Sequence, residues 1–313
     1  MDFLAPILTF GDNVAVQALL AFPVLLSMVI TYRCLQVPDV TIDGSSIFSA
    51  AVCVVLVRKS GVDLSLAIPI AVGGGVLAGV ITGLLIEVLK INSLLAGILN
   101  AFVFYSLSLL LIDAALDFES GTTLFSWLKE RDFQLGQRLP AKLVVHPYML
   151  GCLIATTAIL KGATDWFLTR EWGVAMRGAG SKDIVLQLRG VNTRRVRVIG
   201  FGIANGLVGL GAVLMSMYDG SVQVMRWPGT IIFALSVSIL GWEAAKQLGR
   251  WFKVRLRDTT AVLLGALLYY LIVRVCYTFH IPTALPRLVI AVYIIAVLAN
   301  RSGAWRRIRE LLT

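Results

Sequence analysis

Apolar residues run along this chain in long blocks broken by short polar or basic turns. Several blocks approach the roughly 20 residues that an α-helix needs to cross a hydrocarbon core of about 30 Å. The pattern predicts spans over Val16 to Thr31, Leu64 to Leu89, Leu94 to Ile112, Leu143 to Leu160, Val196 to Met217, Pro228 to Ala245, Thr260 to Val275 and Leu285 to Leu298. A further run, Ser45 to Val57, is short for a full crossing. It follows VPDVTIDGSS, where Pro38, two carboxylates and Gly44 oppose a continuous helix, so a helix broken inside the membrane and shielded by protein is expected there. Pro23 is expected to kink the first span. The expectation is an all-α polytopic membrane protein with about nine spans, within a range of about eight to ten, forming a single transmembrane domain over residues 1–313.

Two patterns inside the spans say how they meet. Gly75, Gly79 and Gly83 recur every fourth residue, and Gly200, Gly202, Gly206, Gly209 and Gly211 crowd a second span. Both predict helix backbones in close approach. In addition, Gly44-Ser-Ser-Ile-Phe-Ser-Ala50 and Gly229-Thr-Ile-Ile-Phe-Ala234 each open an apolar run after a Pro-containing loop. Entered from opposite sides, they are the form an inverted repeat takes, with interrupted helices near a midplane site.

Charge then orients the chain. Arg170 to Arg197 carries seven Lys or Arg against two acidic residues, and further clusters lie at 246–257 and 301–309. Moving such charges across a bilayer costs about 2.5–3.5 kcal/mol each, so basic connections stay in the cytoplasm. Nine spans with the N-terminus outside and the C-terminus in the cytoplasm place all three clusters, Arg33 and Lys90 on one side. Arg58 with Lys59, and Arg226, Arg274 and Arg287, fall on the other. The polar stretch 113–142 becomes an extracellular loop, with Leu124 to Leu128 as an interfacial helix. The N-terminus lacks a basic n-region and a small-residue cleavage site, so it is expected to be retained.

Within the cytoplasmic segment 170–197, Ala179 to Val191 reads as a short amphipathic helix, with Ile184, Leu188 and Val191 on one side and Lys182, Asp183 and Arg189 on the other. Such a helix lies on lipid headgroups or docks a cytoplasmic protein. A nucleic-acid patch fits poorly, because the charges are explained as a topology signal.

The composition agrees with the pattern: of 313 residues 58% are hydrophobic and 15% charged, and mean hydropathy is +0.84, which excludes a soluble globular domain. The net charge of +10 follows the basic clusters and records orientation. Cys34, Cys53, Cys152 and Cys276 are scattered without CxxC or a His at ligand spacing, so no metal site is expected. There is no P-loop, no G-x-S-x-G and no H-E-x-x-H, and no catalytic set is expected. Polar groups inside or beside spans are costly against lipid. Asp39, Asp43, Ser45, Ser46, Asn100 and Asn205 are therefore candidates for a translocation path or for bonds between helices. For Asp39 and Asp43, capping a helix N-terminus is the other reading.

Pro38 to Gly44, with the pattern P-D-x-T-x-D-G, and Arg189 to Val196, with R-G-x-N-x-x-R-V, carry a resemblance. Together with the glycine-rich run that follows, they resemble the ATP-binding-cassette (ABC) permeases that serve branched-chain amino acids, ribose-type sugars and nucleosides. The first element is similar to the subgroup of tryptophan-type permeases. The resemblance implies a type II importer fold in a bacterial inner membrane, and a homodimer with a second permease copy. It also implies two cytoplasmic ATPase subunits that bind ATP and Mg, an extracytoplasmic solute-binding protein, surrounding lipid, no nucleic acid, and no cofactor in this chain. The coupling helix maps to Gly180 through Gly190, with Arg177, Gly180, Ser181, Lys182, Asp183, Val185, Leu188, Arg189 and Gly190 as the contact to the ATPase. The solute favoured is an amino acid, aromatic ones included, with simple sugars and nucleosides left open. A secondary transporter or channel is the alternative.

Overall fold

A computed structural model describes residues 4–113, 147–181, 183–219, 222, 229–253, 256–279, 288 and 292–293. In chain order the helices are α1 (Leu4–Met28), a π-helical continuation π1 (Val29–Leu35), α2 (Ile42–Arg58), α3 (Leu64–Glu87), α4 (Ser93–Asp113) and α5 (Pro147–Thr169), then α6 (Glu171–Ser181), α7 (Asp183–Leu188), α8 (Thr193–Asp219), α9 (Thr230–Phe252) and α10 (Asp258–Thr278). No strand occurs among the described residues.

Among the described residues six segments are long and apolar enough to cross a membrane: Val14–Leu35, Leu64–Glu87, Ser93–Ile112, Thr193–Asp219, Thr230–Phe252 and Asp258–Thr278. The short second run forms α2, an apolar helix of 17 residues that starts inside the protein. The fifth expected span forms α5, whose second half carries Lys161 and Asp165 and so is less apolar. The ninth expected span apart from 288 and 292–293, the loop 114–142 and its Leu124 to Leu128 helix lie outside the described residues.

The core is built around α1 and α8. Phe22, Leu25, Leu26 and Met28 of α1 and Ile30 of π1 are at most 1% exposed and pack with Phe201, Ala204 and Val208 of α8. The glycine stripe of α3 meets α8. A Cβ on Gly75 would lie 2.6 Å from the Asn205 carbonyl, and one on Gly83 2.7 Å from the Val198 Cα, while Gly79 abuts the Phe201 carbonyl. Small residues thus let the two backbones touch, as their spacing predicts. Apolar side chains on the far sides of α3 and α4, such as Ile70, Leu77, Leu99 and Phe102, are exposed. Lipid suits them.

Pro23 sits inside α1 without ending it, and the irregularity appears one turn and more downstream, where the helix widens into π1. Gln36 then takes a left-handed conformation, the Val37 N–H reaches back to the Thr31 carbonyl at 3.1 Å, and Pro38 stops any continuation.

Candidate functional site

Two groups of polar side chains stand out, one buried between the helices and one at the end where the basic residues collect. The buried group begins where the chain leaves π1. Asp39, 1% exposed, accepts the Thr41 backbone N–H at 3.0 Å just ahead of α2. That bond closes a turn leading into α2, and the other Asp39 oxygen accepts the Asn205 amide at 2.6 Å. Asn205 also donates to the Phe201 carbonyl at 3.1 Å and accepts the Ser45 hydroxyl at 2.7 Å. The Thr41 hydroxyl meets that of Thr82 at 2.7 Å, and the Asn100 amide donates to Thr82 Oγ1 at 2.6 Å and to the Ala78 carbonyl at 2.8 Å. Asp39, Thr41, Ser45, Thr82, Asn100 and Asn205 are all at most 3% exposed. One network therefore joins the start of α2 to α3, α4 and α8. In a medium without water every one of these groups needs such a partner.

Asp43 lies in the first turn of α2 yet caps a different helix. Its carboxylate accepts the Gly229 N–H at 2.9 Å and the Ile231 N–H at 3.0 Å, at the start of α9. Gly229 holds φ 89°, a turn that a side chain would strain. The two segments whose sequences echo each other, at Gly44 and Gly229, therefore meet at their N-termini. Each N-terminus carries a partial positive charge, and the one carboxylate between them suits both. Ser46 is fully buried and donates only locally, to the Asp43 carbonyl at 3.0 Å.

At the basic end, the segment expected to be one amphipathic helix is two. Helix α6 packs against π1: Gly180 lies so close to the Cys34 and Leu35 carbonyls that any side chain there would collide. Lys182, between the helices, lies outside the described residues. Helix α7 has no buried residue and presents Ile184, Val185 and Leu188 at 73%, 47% and 83% exposure. Gly190 ends the segment at φ 77°, followed by α8. Arg177 turns inward and donates to the Leu168 carbonyl at 2.8 Å, pinning the α5–α6 corner, and the Ser181 hydroxyl bonds the Arg177 carbonyl at 2.9 Å. Arg189 is exposed. Of the residues assigned to the coupling contact, Val185, Leu188 and Arg189 thus face outward, whereas Gly180 and Arg177 hold the segment to the membrane helices.

Several basic residues at this end are paired. Arg197 sits 3.0 Å from Glu87 and 3.2 Å from Asp183. Asp165 sits 3.0 Å from Lys161 and 3.2 Å from Arg257, and it accepts the Thr259 hydroxyl at 2.6 Å. Arg33 sits 3.4 Å from Asp258 and stacks over Trp242, its centre 5.5 Å from the ring. Sequence reasoning treated these arginines as topology signals and passed over Thr41, Thr82, Asp165 and the pairing of Glu87 with Arg197. The available signal was an acidic residue at one end of an apolar run, such as Glu87, facing a basic residue at the start of another, such as Arg197.

Six described helices long and apolar enough to cross a membrane, packed around a buried polar network, define a multi-pass membrane protein. The chain belongs to the family of the branched-chain amino acid transport system, permease component, whose model matches residues 12–298, and it is an ABC-type permease. It is 28% identical over 288 residues to a tyrosine transport system permease protein of Clostridioides difficile (strain R20291), covering 92% of this chain and 90% of that one. It is 27% identical over 256 residues to an uncharacterized protein of Rickettsia prowazekii (strain Madrid E), covering 82% and 84%. No solved structure matches.

Proposed function

We propose that this chain is the membrane-spanning subunit of an ATP-driven importer for an amino acid, an aromatic one favoured. It works in the bacterial inner membrane as a homodimer with its C-terminus in the cytoplasm. Two cytoplasmic ATPase subunits bind ATP and Mg and grip α7, and an extracytoplasmic binding protein delivers the solute. The observation that carries this reading is α7 itself, an exposed apolar face at the basic end of a family member, attached through α6 to the π-helical end of the buried α1. Apolar side chains on the water side of a membrane protein call for a partner. The solute class is supported by the tyrosine transport permease to which the chain is similar.

The translocation path runs beside Asp39, Asp43, Ser45, Ser46, Asn100 and Asn205. In the conformation described, all of these but Asp43 are buried, so the path is closed and opening it requires α2 and α9 to part. An inverted repeat is supported by reciprocal packing, α1 against α9 and α10, and α8 against α2 and α3. Movement is then a rocking of the two halves, driven by the differential affinity of the ATPase pair for the two arrangements.

Reconstituted with its ATPase and binding protein, the permease is expected to accumulate labelled L-tyrosine only when ATP is supplied, and to ignore ionophores. Uptake that collapses with an ion gradient and needs no ATP means a secondary transporter. ATP-driven uptake of a different solute overturns the aromatic assignment alone.

A further inference from the structure

We propose that Arg197 is a positioning residue that transfers the displacement of α7 to the membrane helices, an inference that rests on the reading of α7 as the ATPase contact. Arg197 is the fifth residue of α8, and its guanidinium touches three other elements. Nη1 meets the Glu87 carboxylate at 3.0 Å, at the end of α3. Nη2 meets Asp183 at 3.2 Å, the first residue of α7, and donates to the Ala179 carbonyl at 2.8 Å, near the end of α6. The planar fork of arginine fixes the directions of these contacts in a way a lysine cannot.

The other attachments of α7 are slight. It has no buried residue, and its links to the body are Leu186, half-buried against the core beside Gly178, and the Gln187 amide at 3.3 Å from the Thr193 hydroxyl. The partners on the membrane side are firm. Glu87 has a side chain 6% exposed, and α3 and α8 are locked together along Gly75, Gly79 and Gly83. A pull on Asp183 therefore reaches α3 and α8 as one body. Eight residues on from Arg197, about 12 Å along α8, it arrives at Asn205 and the buried Asp39.

Asp183 and Arg197 are also poised for a second arrangement. Asp183 Oδ1 and Arg197 Nε are both buried without a hydrogen-bond partner, although the other Asp183 oxygen already engages Nη2. Nε and Nη2 lie on the same edge of the guanidinium. A slide of α7 that brings Oδ1 onto Nε makes the pair bidentate. The contact is thus incomplete in this state and completes in another.

The test uses the whole transporter in liposomes, with a photo-crosslinker at Leu188 and, separately, spin labels on cysteines at the exposed Leu89 and Trp172. In the wild type the ATPase is expected to crosslink at Leu188, and the label separation to stay fixed when ATP and vanadate are added. Arg197→Met leaves Glu87 buried without its cation and is expected to lower the melting temperature. Arg197→Met with Glu87→Met removes both charges and is expected to restore melting. In both variants ATP and vanadate are expected to shift the separation by several ångströms, because α6 and α7 then move without α3. A merely structural role predicts that the double variant recovers the fixed separation together with its stability, and that result overturns the proposal. Failure of the ATPase to crosslink at Leu188 instead overturns the reading of α7 on which it rests.

Discussion

Asp39→Ala is expected to destabilise the protein by about 3–5 kcal/mol and to abolish transport, whereas Asp39→Asn is expected to cost less than about 1.5 kcal/mol. The difference comes from what each variant leaves unbonded. Alanine strips partners from the Thr41 N–H and from one Asn205 amide hydrogen, both buried where no water can replace them. Asparagine keeps an acceptor for Thr41 and turns the other contact around. Its amide donates to Asn205 Oδ1, the Asn205 amide donates to the Ser45 hydroxyl, and Ser45 keeps the Ile42 carbonyl, 3.5 Å away. The bond from Asn205 to the Phe201 carbonyl is lost, and the turned Asn205 Oδ1 then faces that carbonyl, which is the residual cost. Heat unfolding in detergent, alongside uptake in liposomes, checks both variants. Equal damage from the two would mean that the negative charge, rather than the bonding pattern, is what the site requires.

Replacing Ile184 and Leu188 together by Glu is expected to leave stability within about 0.5 kcal/mol of the wild type, because both side chains are exposed. Association with the ATPase is expected to weaken at least about 100-fold. Burying two large aliphatic side chains at a contact contributes about 3 kcal/mol or more, and each 1.4 kcal/mol is a factor of ten in affinity. Pull-down of the ATPase by the purified permease reads the loss, and unchanged binding would remove α7 from the interface. Proline at Val185 is the weaker variant. Val185 is the third residue of α7, in the first turn, where the missing N–H has no helical bond to give up.

Six of the expected spans were legible in the sequence because the bilayer imposes a length and the hydrophobic blocks record it. The broken start of α2 was legible too, since Pro38, Asp39, Asp43 and Gly44 all oppose a continuous helix. So was the face of α3 that meets α8, marked by Gly75, Gly79 and Gly83. Contacts made across the fold were not. The periodicity of 179–191 reads as one helix, yet Gly180 is drawn against the Cys34 and Leu35 carbonyls, and the chain re-forms as α6 and α7. Capping a helix N-terminus was one of two readings of Asp43, but the amides it accepts lie 186 and 188 residues away at the start of α9. Local spacing carries no trace of so distant a donor. Arg197 was counted among charges that orient the chain, an average property that says nothing about which carboxylate each one meets. The Asn205 assignment rested on its being polar among glycines, and the structure adds that it bridges Asp39 and Ser45.

The central claim is that α7 faces the cytoplasm and is covered there by a separate ATPase. Its most direct test is the reaction of a single cysteine at Leu188 with a membrane-impermeant maleimide, in intact cells and in inverted vesicles, with and without the ATPase. The expected result is labelling confined to inverted vesicles and suppressed when the ATPase is bound. Labelling in intact cells, or labelling that the ATPase does not suppress, would contradict the account.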